Sequence, residues 1–137
     1  MNEAYEARRE ARRAQILKTT DFSRDLYGET SIFCIINDHE TESAMKQLLF
    51  TANWFEHPHP NGRDLRGEAD FASIRMVHAL FGCYEKLTDE VHAALENFFL
   101  NRDYSSIYGS ENHSLMYRVS RLLAAQFYRG KRFTQYN

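Results

Sequence analysis

The sequence predicts an all-α protein built from antiparallel helical hairpins, and three observations predict it. The two prolines, Pro58 and Pro60, fall in one short stretch, so every other segment is free to be helical. Apolar residues recur at three- and four-residue spacing along most of the chain. Residues suited to capping a helix, Thr88 and Ser110, stand where such stripes begin.

The elements follow in order. Residues 1–20 form an N-terminal helix rich in Ala, Glu and Arg, all good helix formers. Its apolar content is mostly alanine, so it packs weakly or on a large partner surface. Residues 31–36 are a buried strand or a helical turn by pattern alone, and the helical neighbours favour helix. Over residues 40–55, Met45, Leu48, Leu49, Ala52 and Phe55 share a stripe. Residues 57–67 are a loop, with Asn61-Gly62 as its turn signal. Glu68 and Asp70 open the next helix, whose stripe is Phe71, Ile74, Val77, His78, Phe81 and Tyr84, with His78 as a hydrogen-bonded core histidine. Thr88 caps a helix that faces Val91, Ala94, Leu95, Phe98 and Phe99 inward. The last helix starts at Ser110, buries Leu115, Met116, Val119, Leu122, Leu123 and Gln126, and stops at Gly130. Residues 131–137 then run off without a closing element. Two hairpins result, 31–55 with 68–86 and 88–100 with 110–129, within one domain spanning 1–137.

Composition narrows the function classes. A chain of 137 residues, 43% apolar, can bury a real core. Seventeen basic and 19 acidic side chains give a net charge of −2, which supplies no field for nucleic acid. The arginines Arg8, Arg9, Arg12 and Arg13 are offset by Glu3, Glu6 and Glu10 and read as a solvated helix face. The N-terminal stretch is polar, and the longest apolar run, Ile32 to Ile36, is too short to span a bilayer, so the expected location is the cytoplasm, without membrane. Cys34 and Cys83 sit in apolar runs without metal-ligand spacing and read as buried free thiols. His57-Pro58-His59, even with Asp38-His39-Glu40 folded back, does not make a convincing metal set, so neither metal nor cofactor is expected.

One cluster carries chemistry. In Tyr108-Gly109-Ser110-Glu111-Asn112-His113 an acid, an amide and an imidazole meet at a helix start, with Tyr117 one turn beyond His113. Glu111 suits the macrodipole and can cap the helix or orient His113. Backbone N–H groups at a helix start favour an anion such as a carboxylate, to which Asn112 can donate. His113 can act as base and Tyr117 can return a proton. At about 100° per residue, His113, Tyr117, Ser120 and Ala124 lie opposite the expected core stripe. That face is too apolar for open solvent and too polar for a dry core, so it is expected to line a groove. Tyr104 and Tyr108 would flank the groove and stack on sugar rings. Arg63 and Arg66, beside Trp54, suit an acidic sugar or a plain surface loop.

Ser110-Glu111-Asn112-His113 heading an apolar helix, followed by Leu-Leu-Ala-Ala-Gln-Phe-Tyr over 122–128, resembles a helix of the α/α-toroid proteins, which include alginate, chondroitin and heparin lyases. The resemblance covers residues 104–137. It implies a partial α/α toroid acting on or binding an acidic polysaccharide. It also implies that Asn112 neutralises a uronate carboxylate and that His113 abstracts or relays the C5 proton. The family's acid–base tyrosine comes from a different helix, so Tyr117 does not match it, and Tyr104 or Tyr108 would take that place. Glu111 departs from the pattern, since the lyases often carry a second amide there. A toroid also needs more hairpins than this chain holds, which implies half a cleft, without activity alone, completed by further hairpins of a parent chain or by a second copy. The rival expectation is a non-catalytic interaction module in which the first helix docks a partner and the 111–117 cluster is structural.

Overall fold

The computed structural model describes residues 3–53, 69–102 and 110–134, and the regular structure among them is entirely helical. Six α-helices follow one another: α1 (Glu3–Lys18), α2 (Glu29–Ile36), α3 (Thr41–Ala52), α4 (Ala69–Gly82), α5 (Asp89–Asn101) and α6 (Glu111–Phe127). Short 3₁₀ turns at Phe22–Arg24 and Tyr84–Lys86 join them. Among the described residues no helix is long and apolar enough to cross a membrane.

The stretch 31–36 is helical, as its neighbours suggested, and a buried carboxylate holds its start. Asp25 accepts from the Thr30 and Ser31 backbone N–H groups at 3.1 and 2.8 Å and from the Ser31 hydroxyl at 2.5 Å. These bonds satisfy donors that a helix N-terminus leaves unpaired. Gly28 is left-handed (φ 84°) just before the helix. A Cβ there would lie 3.0 Å from Met76 and 3.1 Å from Leu48, so space and backbone both demand glycine. The connection to α3 is tight, with Asp38 and Glu40 at φ 53° and 43°. A left-handed non-glycine residue costs about 1–2 kcal/mol. Lys86 spans this turn, donating to Asp38 at 2.7 Å and to the Ile36 carbonyl at 3.0 Å.

The core is centred where α2, α3, α4 and α5 meet, on Ile35, Leu48, Met76, Leu80, Leu95, Phe98 and Phe99. α5 buries all five residues expected of it, and Thr88 caps it by accepting from the Val91 N–H at 3.4 Å. α4 lies between α2 and α6, and α3 packs on α2 and α5. α4 and α6 run in the same direction: Asp70 meets His113 near both N-termini and Phe81 meets Phe127 near both C-termini. The principal partner of α6 is therefore α4 rather than α5, its expected hairpin mate. Within the described residues, 131–134 are tied back to α5: Lys131 pairs with Glu96 at 2.7 Å, and Thr134 donates to Asn101 at 2.9 Å.

Two helices are rolled away from the expected faces. α4 buries Ala69, Asp70, Ala72, Ser73, Met76, Val77, Ala79 and Leu80, so Val77 alone survives from the predicted stripe as fully buried. Phe81 is 57% exposed and His78 lies in solvent rather than in the core. In α6 the buried residues are Ser120 and Ala124, while Leu115 and Leu122 are each 60% exposed. The cause is close approach. Small side chains at Ser73 and Ser120, which touch, and at Ala124, buried on the same face of α6, let the two helices come together, and packing density outweighs the larger transfer energy of the leucines. Ser120 Oγ donates to the Met116 carbonyl at 2.8 Å and lies 3.1 Å from Ser73 Oγ, so the hydroxyls are satisfied inside the contact.

Two measurements check these assignments. Ser120→Leu should lower the free energy of unfolding in urea by about 1–3 kcal/mol through overpacking. Leu122→Lys should stay within about 0.5 kcal/mol of the parent; the opposite order would restore the face expected from the sequence. The second concerns the thiols. Cys34 and Cys83 are both free and buried. Burial pushes the Cys83 thiol from 9.0 up to about 11 and raises that of Cys34 as well. A raised folded value means the protonated thiol favours the fold below pH 9.0, and that contribution is lost as pH climbs toward 11. Unfolding titrations across this window should show stability falling with pH, with a shallower fall in Cys83→Ala.

Candidate functional site

Of the residues singled out by sequence, Glu111, Asn112, His113 and Tyr117 lie on the first turns of α6. Tyr104, Tyr108, Arg63 and Arg66 lie outside the described residues, as do Trp54, His57 and His59. Ser110 occupies the N-cap position with extended backbone, yet its side chain makes no capping bond. Glu111 and Asn112 are exposed beside it.

His113 does not face a groove along the Ser120 side of α6, because that side is packed on α4. Its imidazole is instead held by a residue the sequence reading treated only as a helix opener. Asp70 Oδ2 lies 2.5 Å from His113 Nδ1. The carboxylate is fully buried, while the His113 side chain keeps 27% of its surface exposed. The other carboxylate oxygen, Asp70 Oδ1, is buried and has no hydrogen-bond partner among the described residues. Asp70 sits in the first turn of α4, where the helix dipole favours negative charge. The Phe71 ring stands edge-on to the imidazole at 5.3 Å, with Tyr27 against Phe71 at 5.6 Å. The histidine is thus packed against aromatic surface, and both contacts constrain its ring plane.

This geometry sets the tautomer. With Asp70 accepting from Nδ1–H, the neutral ring carries its lone pair on Nε2. An imidazole oriented by a buried carboxylate is equipped to take up a proton at Nε2 and to have the resulting charge stabilised. Tyr117 is not gathered into this pair. Its hydroxyl accepts from Arg121 Nη1 at 2.7 Å, one turn further along the helix, and the guanidinium carbon lies 5.0 Å from the ring centre. Glu111 stands two residues before His113, about 200° around the helix, so it does not orient the imidazole.

The missed residue had a signal. Asp70, Ser73 and Val77 fall at helical spacing on one face, and so do His113, Tyr117, Ser120 and Ala124. Two helices that each place a small polar residue on an otherwise apolar or small-residue face are candidates for a shared polar seam. Elsewhere, the described residues contain no group of three or more His, Cys, Asp or Glu side chains that could hold a metal ion. His39 lies 3.4 Å from Glu40 only. Comparison with protein families, curated proteins and solved structures finds no match to this chain.

Removing His113 leaves the buried Asp70 carboxylate uncompensated, and removing Asp70 leaves the half-exposed imidazole without that carboxylate. A double-mutant cycle of Asp70→Ala and His113→Ala, read from urea unfolding, should return a coupling of about 1–3 kcal/mol. Additivity within about 0.5 kcal/mol would remove the pair as an energetic unit.

Proposed function

We propose that the joined N-terminal ends of α4 and α6 form an acid–base site for an acidic polysaccharide, within a helical architecture of the α/α-toroid kind. The observation that carries this reading is the buried Asp70 carboxylate on Nδ1 of a half-exposed His113, with Asn112 exposed next to it. In the proposed reaction Asn112 donates to the uronate carboxylate and lowers the cost of charge developing at C5. His113 Nε2 takes the C5 proton, the C4–O bond breaks, and a C4–C5 double bond forms. Asp70 positions the ring and stabilises the imidazolium. The leaving oxygen takes its proton from solvent water; the Tyr117 hydroxyl accepts from Arg121 one turn beyond His113.

The helix arrangement supports the toroid part of the proposal. α2, α4 and α6 lie side by side in one direction, since Glu29 pairs with Arg75, and Ile36 packs near Gly82, in step with the α4–α6 contacts. α3 and α5 pack on one another behind them. Alternate helices sharing a layer is what repeated α/α hairpins produce. A second reading, the non-catalytic interaction module, is favoured by one observation: Leu115 and Leu122 leave an apolar stripe uncovered on α6.

The test uses uronate oligomers prepared from alginate, polygalacturonate, chondroitin and heparin. On titration into the protein, the His113 imidazole signals in ¹H–¹³C NMR should shift for at least one oligomer, and Asn112→Ala should abolish the shift. Where turnover occurs, the unsaturated product absorbs in the ultraviolet, and Asp70→Asn and His113→Gln should each reduce its rate by about 10²-fold or more. No shift at saturating concentrations of every oligomer would dispose of the carbohydrate reading and leave the module ahead.

A further inference from the structure

A surface distinct from the Asp70–His113 pair lies between α1 and α2. α1 is 16 residues long and buries none of them. At 1.5 Å per residue it extends about 24 Å. Between it and the end of α2 runs an open groove with an empty volume of about 1100 Å³. Tyr5, Ile16, Phe33 and Ile36 give the groove apolar surface, and Arg8 and Arg12 line it together with the paired Arg9, Glu10 and Arg13. Tyr5 is 55% and Ile36 44% exposed, so large apolar side chains face water here. The apolar surface continues onto the neighbouring groove of α2 and α4, where Phe33 and Ile36 meet Phe81.

The charge balance on α1 is uneven in a way that identifies an occupant. Glu6 pairs with Arg9 at 3.0 Å, and Glu10 pairs with Arg13 at 3.2 Å. Arg8 and Arg12 have no acidic partner among the described residues. They lie four residues apart on one face, as successive anchors on a helix do. We propose that this groove docks an acidic amphipathic helix of another protein. Its apolar stripe would cover Phe33, Ile36 and Ile16, and its flanking carboxylates would meet Arg8 and Arg12. The alternatives fit less well. A polyanionic sugar would use the arginines but leave Ile16, Phe33 and Ile36 in water. A second copy would bring the exposed stripe of its own α6, but that stripe is flanked by Arg118, Arg121 and Arg129, which repel the groove's charge.

The test is fluorescence anisotropy with two labelled helical peptides and the whole chain. Both carry Leu at positions i, i+4 and i+7; one has glutamates on the flanks and the other lysines. The acidic peptide should bind and the basic one should not, with affinity falling as salt rises. Arg8→Glu with Arg12→Glu should weaken the acidic peptide by about tenfold or more and admit the basic one. Ile36→Asp should remove both modes. Arg8→Ala with Arg12→Ala, which keeps helix propensity, serves if the reversal disturbs α1, and circular dichroism monitors that helix. Equal binding of the two peptides, no binding of either, or indifference to the arginine substitutions would overturn the proposal. So would retention on immobilised polyuronate or anionic vesicles, abolished by those substitutions, with no peptide bound.

Discussion

The close contact between α4 and α6 decides most of what this molecule presents to solvent. Ser73 and Ser120 meet across it at 3.1 Å, with Ala124 fully buried below. Two helices approach this closely only where side chains are small, because each added methylene must find volume in an interior already near crystal density. Once Ser120 faces inward, the roll of α6 follows. His113, seven residues earlier and two turns away, is carried to the same side and meets Asp70. Leu115 and Leu122, which fall on the other side, are left 60% exposed. The Asp70–His113 pair and the uncovered apolar stripe are two outcomes of one packing choice.

That choice rests in turn on how α4 is held. Met76, near the middle of α4, packs on Gly28, where only the absence of a Cβ leaves room. Asp25 fixes the start of α2 beside it, and the Gln47 side chain donates to the Asp25 carbonyl at 2.9 Å from α3. The strained turn after α2 is tied by Lys86 to the segment after α4. Cross-links at both ends of α2 therefore align α2 with α4, and α4 then offers its small-residue face to α6. Asp70 lies at the N-terminal end of that face, inside the protein but in a first turn whose dipole offsets part of the desolvation cost.

The helical class and most element boundaries were legible because periodicity and caps are local signals. All five residues expected to face inward from α5 are buried, with Leu100 in addition, since that helix's apolar stripe is made mostly of large side chains that have one place to go. The faces of α4 and α6 were not legible in this way. Hydrophobicity ranks Leu115 and Leu122 above Ser120, and Phe81 above Ser73, but a helix flanked on several sides selects size before hydrophobicity. No single-sequence pattern reports which neighbour will come close. Asn112 and His113 were found from the helix start, whereas Asp70 was missed because its partner lies 43 residues away and only packing brings them together. The alanine-rich first helix is expected from its sequence to pack weakly or on a large partner surface; no residue of α1 is fully buried, and Leu17 is partly buried against the core.

The separation of Asp70 from the exposed cluster bears on what the site can do. A carboxylate beside a histidine on the same helix, as Glu111 stands, would hydrogen-bond through solvent and lose its hold as side chains moved. One delivered from a neighbouring helix, fully buried, keeps the imidazole in one tautomer because no water competes for the bond. Under the proposed acid–base role, proton transfer would benefit from such preorganisation, since the imidazole would not need to be reoriented. Asp70 is buried within the contact, whereas Asn112 and Glu111 are exposed on the outer side. The imidazole itself is partly exposed, with Asn112 exposed one residue before it. The same packing that costs α6 two exposed leucines is thus what makes His113 a directed group rather than a surface one.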